Sequence, residues 1–182
     1  MMLDIKRILV PVDFSANSEV ALDYARAMAR RFGAALHLVH VCEVPEMANG
    51  PMEGYVFRYS DWGQRLGDEA ERRLIKLEKQ LPDVKVYTEV LFGNPARCIV
   101  TAAAVDRTDL IVMGTHGRGP LMHVLMGNVA ERVVRTAPCP VLTLRGPGEA
   151  ERVIERKARG VAVMCAVGAL MPAHAARVAH GR

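Results

Sequence analysis

The residues best placed to do chemistry follow the apolar run "TDLIV". They are Met113, Gly114, Thr115, His116, Gly117, Arg118, Gly119 and Pro120, and Gly127-Asn128 then opens the run "GNVAERVV". A glycine-rich turn between a strand and a helix lets several backbone N–H groups point into one space without Cβ atoms in the way. A helix beginning near Gly127 adds free N–H groups and the positive end of its dipole. Together these make a site for an anion, phosphate above all. The spacing is Gly114-x-x-Gly117, then nine residues, then Gly127-Asn128. No Gly-Lys-Ser/Thr follows, so this is not a Walker loop, and Gly117-x-Gly119 lacks the third glycine of the dinucleotide fingerprint. At the end of "ILVPVDFS" stands Asp13, whose carboxylate could accept hydrogen bonds from sugar hydroxyls. The same residues have plainer roles: Gly114 and Gly117 as a tight turn, Asp13 as a helix cap, Arg118 as a solvated loop charge. His116 has no acidic orienter near it in sequence and reads as a surface residue.

Strands and helices alternate along the chain that must position these groups. "RILVPV" (7–12) is a continuous apolar run, the mark of a strand buried on both faces. A helix follows, with Ala21, Tyr24, Ala25 and Met28 on one face, cap oxygens at Ser15, Asn17 and Ser18, and a stop at Gly33. "ALHLVHV" (35–41) is the second strand, and 45–60 is a loop rich in Pro, Gly and Met. The next helix spans about Asp61 to Leu81, its stripe made of Trp62, Leu66, Ala70, Leu74, Leu77 and Leu81. "VKVYTEVL" is the third strand. Asn94-Pro95 caps and starts the third helix. "DLIVMG" and "CPVLTL" are strands four and five, with a fourth helix between them. Strands separated by helices need crossover connections. The expected fold is therefore α/β, a five-stranded parallel sheet with helices on both faces. Ligands bind such sheets at the carboxyl ends of the strands where the order reverses. An order of 3-2-1-4-5 would set the tips of strands one and four side by side.

The residues that carry the site also carry a resemblance. "ILVPVDFS", "LHLVHV", "DLIVMGTHGRG" and "LMGNVAERVVRTAPCPVL", in that order, are similar to the universal stress protein family over roughly residues 3–145. The resemblance implies a Rossmann-like domain over 1–145 and a cytoplasmic homodimer paired through the last strand. In many members it also implies ATP binding, with Mg2+ as the accompanying ion. Carried over, it sets Pro11, Val12 and Asp13 near ribose and adenine and Val41 at the adenine edge. Met113, Gly114, Gly117, Gly127, Asn128 and Val129 would line ribose and phosphates, with His116, Arg118 and Gly119 in the same loop. The ATP-binding pattern has Ser or Thr where this chain has Asn128; Asn also caps a helix and donates, but it is bulkier.

Composition agrees with a soluble core and argues against other classes. Hydrophobic residues make up 51 % and charged residues 24 % of 182 residues, so disorder is not the expectation. Of the net charge of +4, most comes from residue 146 onward, which leaves 18 basic and 17 acidic residues in 1–145. The body is thus near neutral, with no nucleic-acid footprint. Cys42, Cys98, Cys139 and Cys165 form no C-x-x-C pair and read as reduced thiols. His37, His40 and His123 form no metal spacing. The N-terminus is not a signal peptide, and no run is long enough to span a membrane. Residues 146–182 lie outside the resemblance and read as a helical or weakly ordered extension. With phosphate-holding loops but no evident nucleophile, general base or carboxylate cluster, the chain reads as a nucleotide-binding stress-response module, not an enzyme. The alternatives are a scaffold with an empty pocket, or a weak ATP hydrolase of the adenine-nucleotide α-hydrolase-like group.

Overall fold

The computed structural model describes residues 4–43, 60–115 and 127–145. The glycine-rich segment 116–126, nearly all of the expected 45–60 loop and the 146–182 extension lie outside these. The elements are β1 (Arg7–Pro11), α1 (Ala16–Phe32), β2 (Ala35–Glu43), α2 (Asp61–Glu78) and β3 (Val86–Gly93), followed by α3 (Pro95–Val105), β4 (Leu110–Gly114), α4 (Asn128–Thr136) and β5 (Val141–Leu144). All neighbours pair in parallel, in the order β3-β2-β1-β4-β5. This is the order that sets the tips of β1 and β4 side by side. The chain leaves β1 toward β2 and β4 toward β5, so the order reverses between the two central strands.

The pleat divides the core into two layers. Ile8, Val10, Leu36, Leu38 and Val112 pack with Ala21, Ala25 and Ala29 of α1 and Leu74 of α2 on one face. Leu9, Val39, Ile111 and Met113 pack with Ile99 and Ala103 of α3 and Ala130 and Val133 of α4 on the other. Successive residues of a central strand point to opposite faces, so a strand buried on both must be apolar throughout. In α1 the alanines at every fourth position present a flat, small surface that lets the helix lie close on β1 and β4. Tyr24, expected on that face, is 55 % exposed and sits beside the alanine stripe.

Each helix end has a local cause. The Ser15 side chain accepts from Ser18 N at the start of α1, and Gly33 ends it in the left-handed region at φ 69°. Ser60 caps α2 and Asn94 caps α3, with Pro95 at the first helical position. Helix α2 stops at Glu78, three residues short of the expected Leu81. There Gln80 N donates to Leu77 O and Leu81 N to Glu78 O, tightening the end to three-residue spacing. Pro82 disfavours helical backbone in the residue before it, and the tighter turn still buries Leu81. Strand β2 runs two residues longer than expected because Cys42 and Glu43 pair with Phe92 and Gly93.

Asp83, in the turn after α2, ties that turn to α1. Arg26 Nε lies 2.9 Å and Nη2 2.6 Å from Asp83 Oδ1, and Arg30 Nε lies 3.3 Å from Oδ2. The hydrogen bond from Arg26 holds the Asp83 carboxyl below the usual carboxylate range, with the charges of both arginines helping. A carboxyl whose folded pKa is depressed stabilises the fold above its unfolded pKa of about 3.9 and loses that effect as pH falls through the folded value. Asp83→Asn is therefore expected to lower the urea midpoint at pH 7. The difference from wild type should shrink as pH falls through the folded pKa. A difference that stays constant on acidification would show that the ion pair contributes nothing.

Candidate functional site

A cavity of about 670 Å3 opens at the carboxyl ends of the strands. The tip of β1 supplies Pro11, Val12, Asp13 and Phe14. The end of β2 supplies Val39 to Glu43. The tip of β4 supplies Met113, Gly114 and Thr115, and the start of α4 supplies Gly127 to Ala130. Nine of the thirteen candidate residues thus face one space: Pro11, Val12, Asp13, Val41, Met113, Gly114, Gly127, Asn128 and Val129. His116, Gly117, Arg118 and Gly119 lie outside the described residues.

The ends of the glycine-rich segment are fixed. Gly127 N donates to Thr115 O at 2.7 Å, and Thr115 N donates to Leu144 O at 2.8 Å. Thr115 is 4 % exposed. Thr115 and Gly127 are therefore joined to each other, and through Thr115 to the end of β5. Gly127 takes the N-cap position of α4 and offers no side-chain acceptor. The caps Ser15, Ser60 and Asn94 each take up an amide of their helix. Among the described residues no side chain caps the first N–H groups of α4 as Ser15, Ser60 and Asn94 cap the other helices, and an anion can take that place. Asn128 is exposed and lines both this cavity and a second groove that runs between α3 and α4. Its side chain therefore sits on a lip with open space on two sides, where its bulk has room.

Gly114 has a structural reason of its own. A Cβ there would lie 3.1 Å from Asn17 Cβ and 3.2 Å from Asn17 C and O, inside the first turn of α1. Its lack of a side chain is what lets α1 and β4 approach. The question whether this glycine serves a turn or a ligand has a third answer, close packing.

At the β1 tip, Asp13 Oδ1 accepts from Ser15 N at 3.0 Å and from Ser15 Oγ at 2.6 Å. Asp13 is therefore not the helix cap itself but the brace of the residue that is. Between them Phe14 has φ 61°, a conformation that costs a bulky residue on the order of 1–2 kcal/mol and persists only where neighbours enforce it. They do so here. The His40 ring lies 4.6 Å from the Phe14 ring, and Arg73 Cζ of α2 lies 3.8 Å from its centroid. His40 Nδ1 is 2.7 Å from Val12 O. A carbonyl only accepts, so Nδ1 carries the proton.

The α2 wall, with Leu66, Glu69, Ala70 and Arg73, was not foreseen. It reaches the site across a connection with no period of its own, so no spacing announces it. Leu66 faces the cavity instead of the packed core, and Trp62, one turn earlier on the expected stripe, is 58 % exposed. Phe14 and His40 were within reach of the sequence, since both adjoin candidate residues at strand tips. His37 belongs elsewhere, 3.2 Å from Glu89 through Nε2 and against Asp106 through Nδ1. Among the described residues no group of three His, Cys, Asp or Glu side chains could hold a metal ion. Cys42, Cys98 and Cys139 are unpaired, and burial pushes all three thiols up.

The model of the universal stress protein family matches residues 4–145. The chain belongs to the universal stress protein family. It is 38 % identical to universal stress protein MJ0531 of Methanocaldococcus jannaschii over 142 residues, 78 % of this chain and 83 % of that one. The solved structure of MJ0577, a universal stress protein of the same organism, superimposes with a TM-score of 0.67 at 30 % identity, covering 78 % of this chain and 96 % of that one. A universal stress protein from Archaeoglobus fulgidus, solved in complex with dAMP, shares the fold at 21 % identity with a TM-score of 0.55, covering 78 % and 98 %. For a universal stress protein, then, the sheet order is as it should be, and the cavity lies where open α/β sheets hold ligands. Among its described residues no helix is long and apolar enough to cross a membrane.

Proposed function

We propose that this universal stress protein is a stress-response module that holds ATP, with Mg2+ as the accompanying ion, and does little chemistry on it. One observation carries the reading. A single cavity joins a carboxylate at the β1 tip to the uncapped N-terminus of α4, across an apolar floor of Val12, Val39, Val41 and Met113. Such a space offers an acceptor for sugar hydroxyls, an apolar slot for a base and N–H donors for phosphate. The dAMP complex of the Archaeoglobus fulgidus relative supports it as to what this fold can hold. Holding without turnover fits the structural commitments of two lining groups, Asp13 Oδ1 engaged by Ser15 and His40 Nδ1 by Val12 O. The unpaired Cys42, Cys98 and Cys139 agree with a reducing, cytoplasmic setting. Among the described residues strand β5 is one of the two sheet edges and pairs with β4 alone. A second copy pairing along it would complete a homodimer.

The test is thermal unfolding with and without Mg-ATP. At a hundredfold excess over Kd, native-state binding adds about 2.7 kcal/mol, roughly 5–10 °C for a domain of this size. A shift without phosphate release is the expected result. A shift with steady phosphate release would make the chain a hydrolase. No shift, together with no nucleotide recovered from the denatured protein, would leave a scaffold with an empty pocket.

A further inference from the structure

We infer that Arg73 is a positioning residue for the ligand's sugar, acting through Phe14 to aim the Asp13 carboxylate into the cavity. The inference rests on the nucleotide reading. Asp13, Phe14 and Ser15 form one tight turn, with Asp13 Oδ1 bound to both the amide and the hydroxyl of Ser15. That turn requires Phe14 at φ 61°, where a large side chain stays only if it is held. Two neighbours hold it. His40, on β2, lies against the Phe14 ring and anchors the preceding carbonyl, Val12 O, at 2.7 Å. The second is Arg73 of helix α2, whose guanidinium lies over the Phe14 ring at 3.8 Å.

Arg73 lines the cavity yet forms no ion pair with Glu69, the acid one turn before it. Glu69 is paired instead with Arg72 at 3.0 Å. The Arg73 cation is thus given to an aromatic face, a geometry suited to pinning a ring. Removing it releases the clamp on the Phe14 ring. Phe14 then relaxes toward ordinary backbone values, and the Asp13–Ser15 bonds that orient the carboxylate slacken. The N–H groups at the start of α4 lie on another element and are not part of the Phe14 clamp. The effect should therefore appear in sugar recognition specifically.

The experiment compares ATP with 2′,3′-dideoxy-ATP by calorimetry for wild type, Arg73→Ala and Arg73→Lys. A hydrogen bond from a sugar hydroxyl to a carboxylate predicts a wild-type preference for ATP on the order of tenfold to a hundredfold. Arg73→Ala is expected to bring that preference to within about threefold of unity by weakening ATP while leaving dideoxy-ATP nearly unchanged. Arg73→Lys, which keeps a cation for the ring, should retain most of the preference. Equal weakening of both nucleotides by Arg73→Ala, or an undiminished preference, overturns the inference. So does failure of Arg73→Lys to restore it. A wild type that binds both nucleotides alike also overturns it but leaves the nucleotide reading standing. A wild type that binds neither removes both.

Discussion

Gly114→Val is expected to destabilise the protein by about 3 kcal/mol, the upper part of the range for forcing methyl groups into a packed interior. That is a fall in melting temperature of roughly 10 °C, and nucleotide binding should be lost with it. The reason lies in what a side chain would meet. Cβ alone would approach Asn17 Cβ to 3.1 Å and the Asn17 backbone C and O to 3.2 Å. Backbone atoms of a helix cannot turn aside as the end of a flexible side chain can, so α1 must move as a body. Its first turn holds Ser15 and Ser18, and it follows directly from the Asp13 turn. Displacing α1 therefore disturbs the β1 side of the cavity at the same time. Gly114→Ala should show the same direction at a smaller size. Thermal unfolding of both variants checks this. A valine variant as stable as wild type would mean that the close approach of α1 and β4 is not what glycine serves here.

Asp13→Ala is expected to weaken ATP binding on the order of tenfold to a hundredfold and to cost about 1 kcal/mol of stability. The two effects have separate sources. The stability loss comes from Ser15, which caps α1 and is itself held by Asp13 Oδ1 at 3.0 Å and 2.6 Å. The affinity loss comes from the carboxylate as acceptor for the ligand's sugar. Asp13→Asn separates them, because an amide oxygen still accepts from Ser15 while the charge is gone. It should keep most of the stability and lose most of the affinity. Calorimetry and thermal unfolding of the pair read both quantities. If Asp13→Ala binds ATP as wild type does, Asp13 is a turn residue and the sugar is held elsewhere.

These two residues also show how far one-dimensional information reaches. Asp13 stood out at once, as a carboxylate directly after an apolar strand; it braces the cap Ser15 instead of capping α1 itself, and it faces the cavity. Gly114 stood out too, but its reason was hidden, because Asn17 is far from it in sequence and close to it only through the packing of α1 on β4. The same division runs through the elements. Apolar runs, cap residues and glycine stops are local, so β1, α1 and α3 could be read nearly to the residue. The end of α2 could not, since three-residue hydrogen bonding carries Leu81 into the core where helical spacing alone would also have put it.

Read alone, the amino-acid order determined the alternation of elements, the parallel sheet and the family, and with the family resemblance it named nine residues that share one cavity. Those follow from periodicity, crossover geometry and short motifs, all of which act over neighbouring residues. Only the tertiary structure decided that α2 forms a wall of that cavity, that Arg73 and His40 grip Phe14, and that Gly127 N donates to Thr115 O. Each of these joins groups on different elements, and their meeting depends on how helices settle on the sheet. That settling is the collective result of packing many side chains, and no local pattern encodes it.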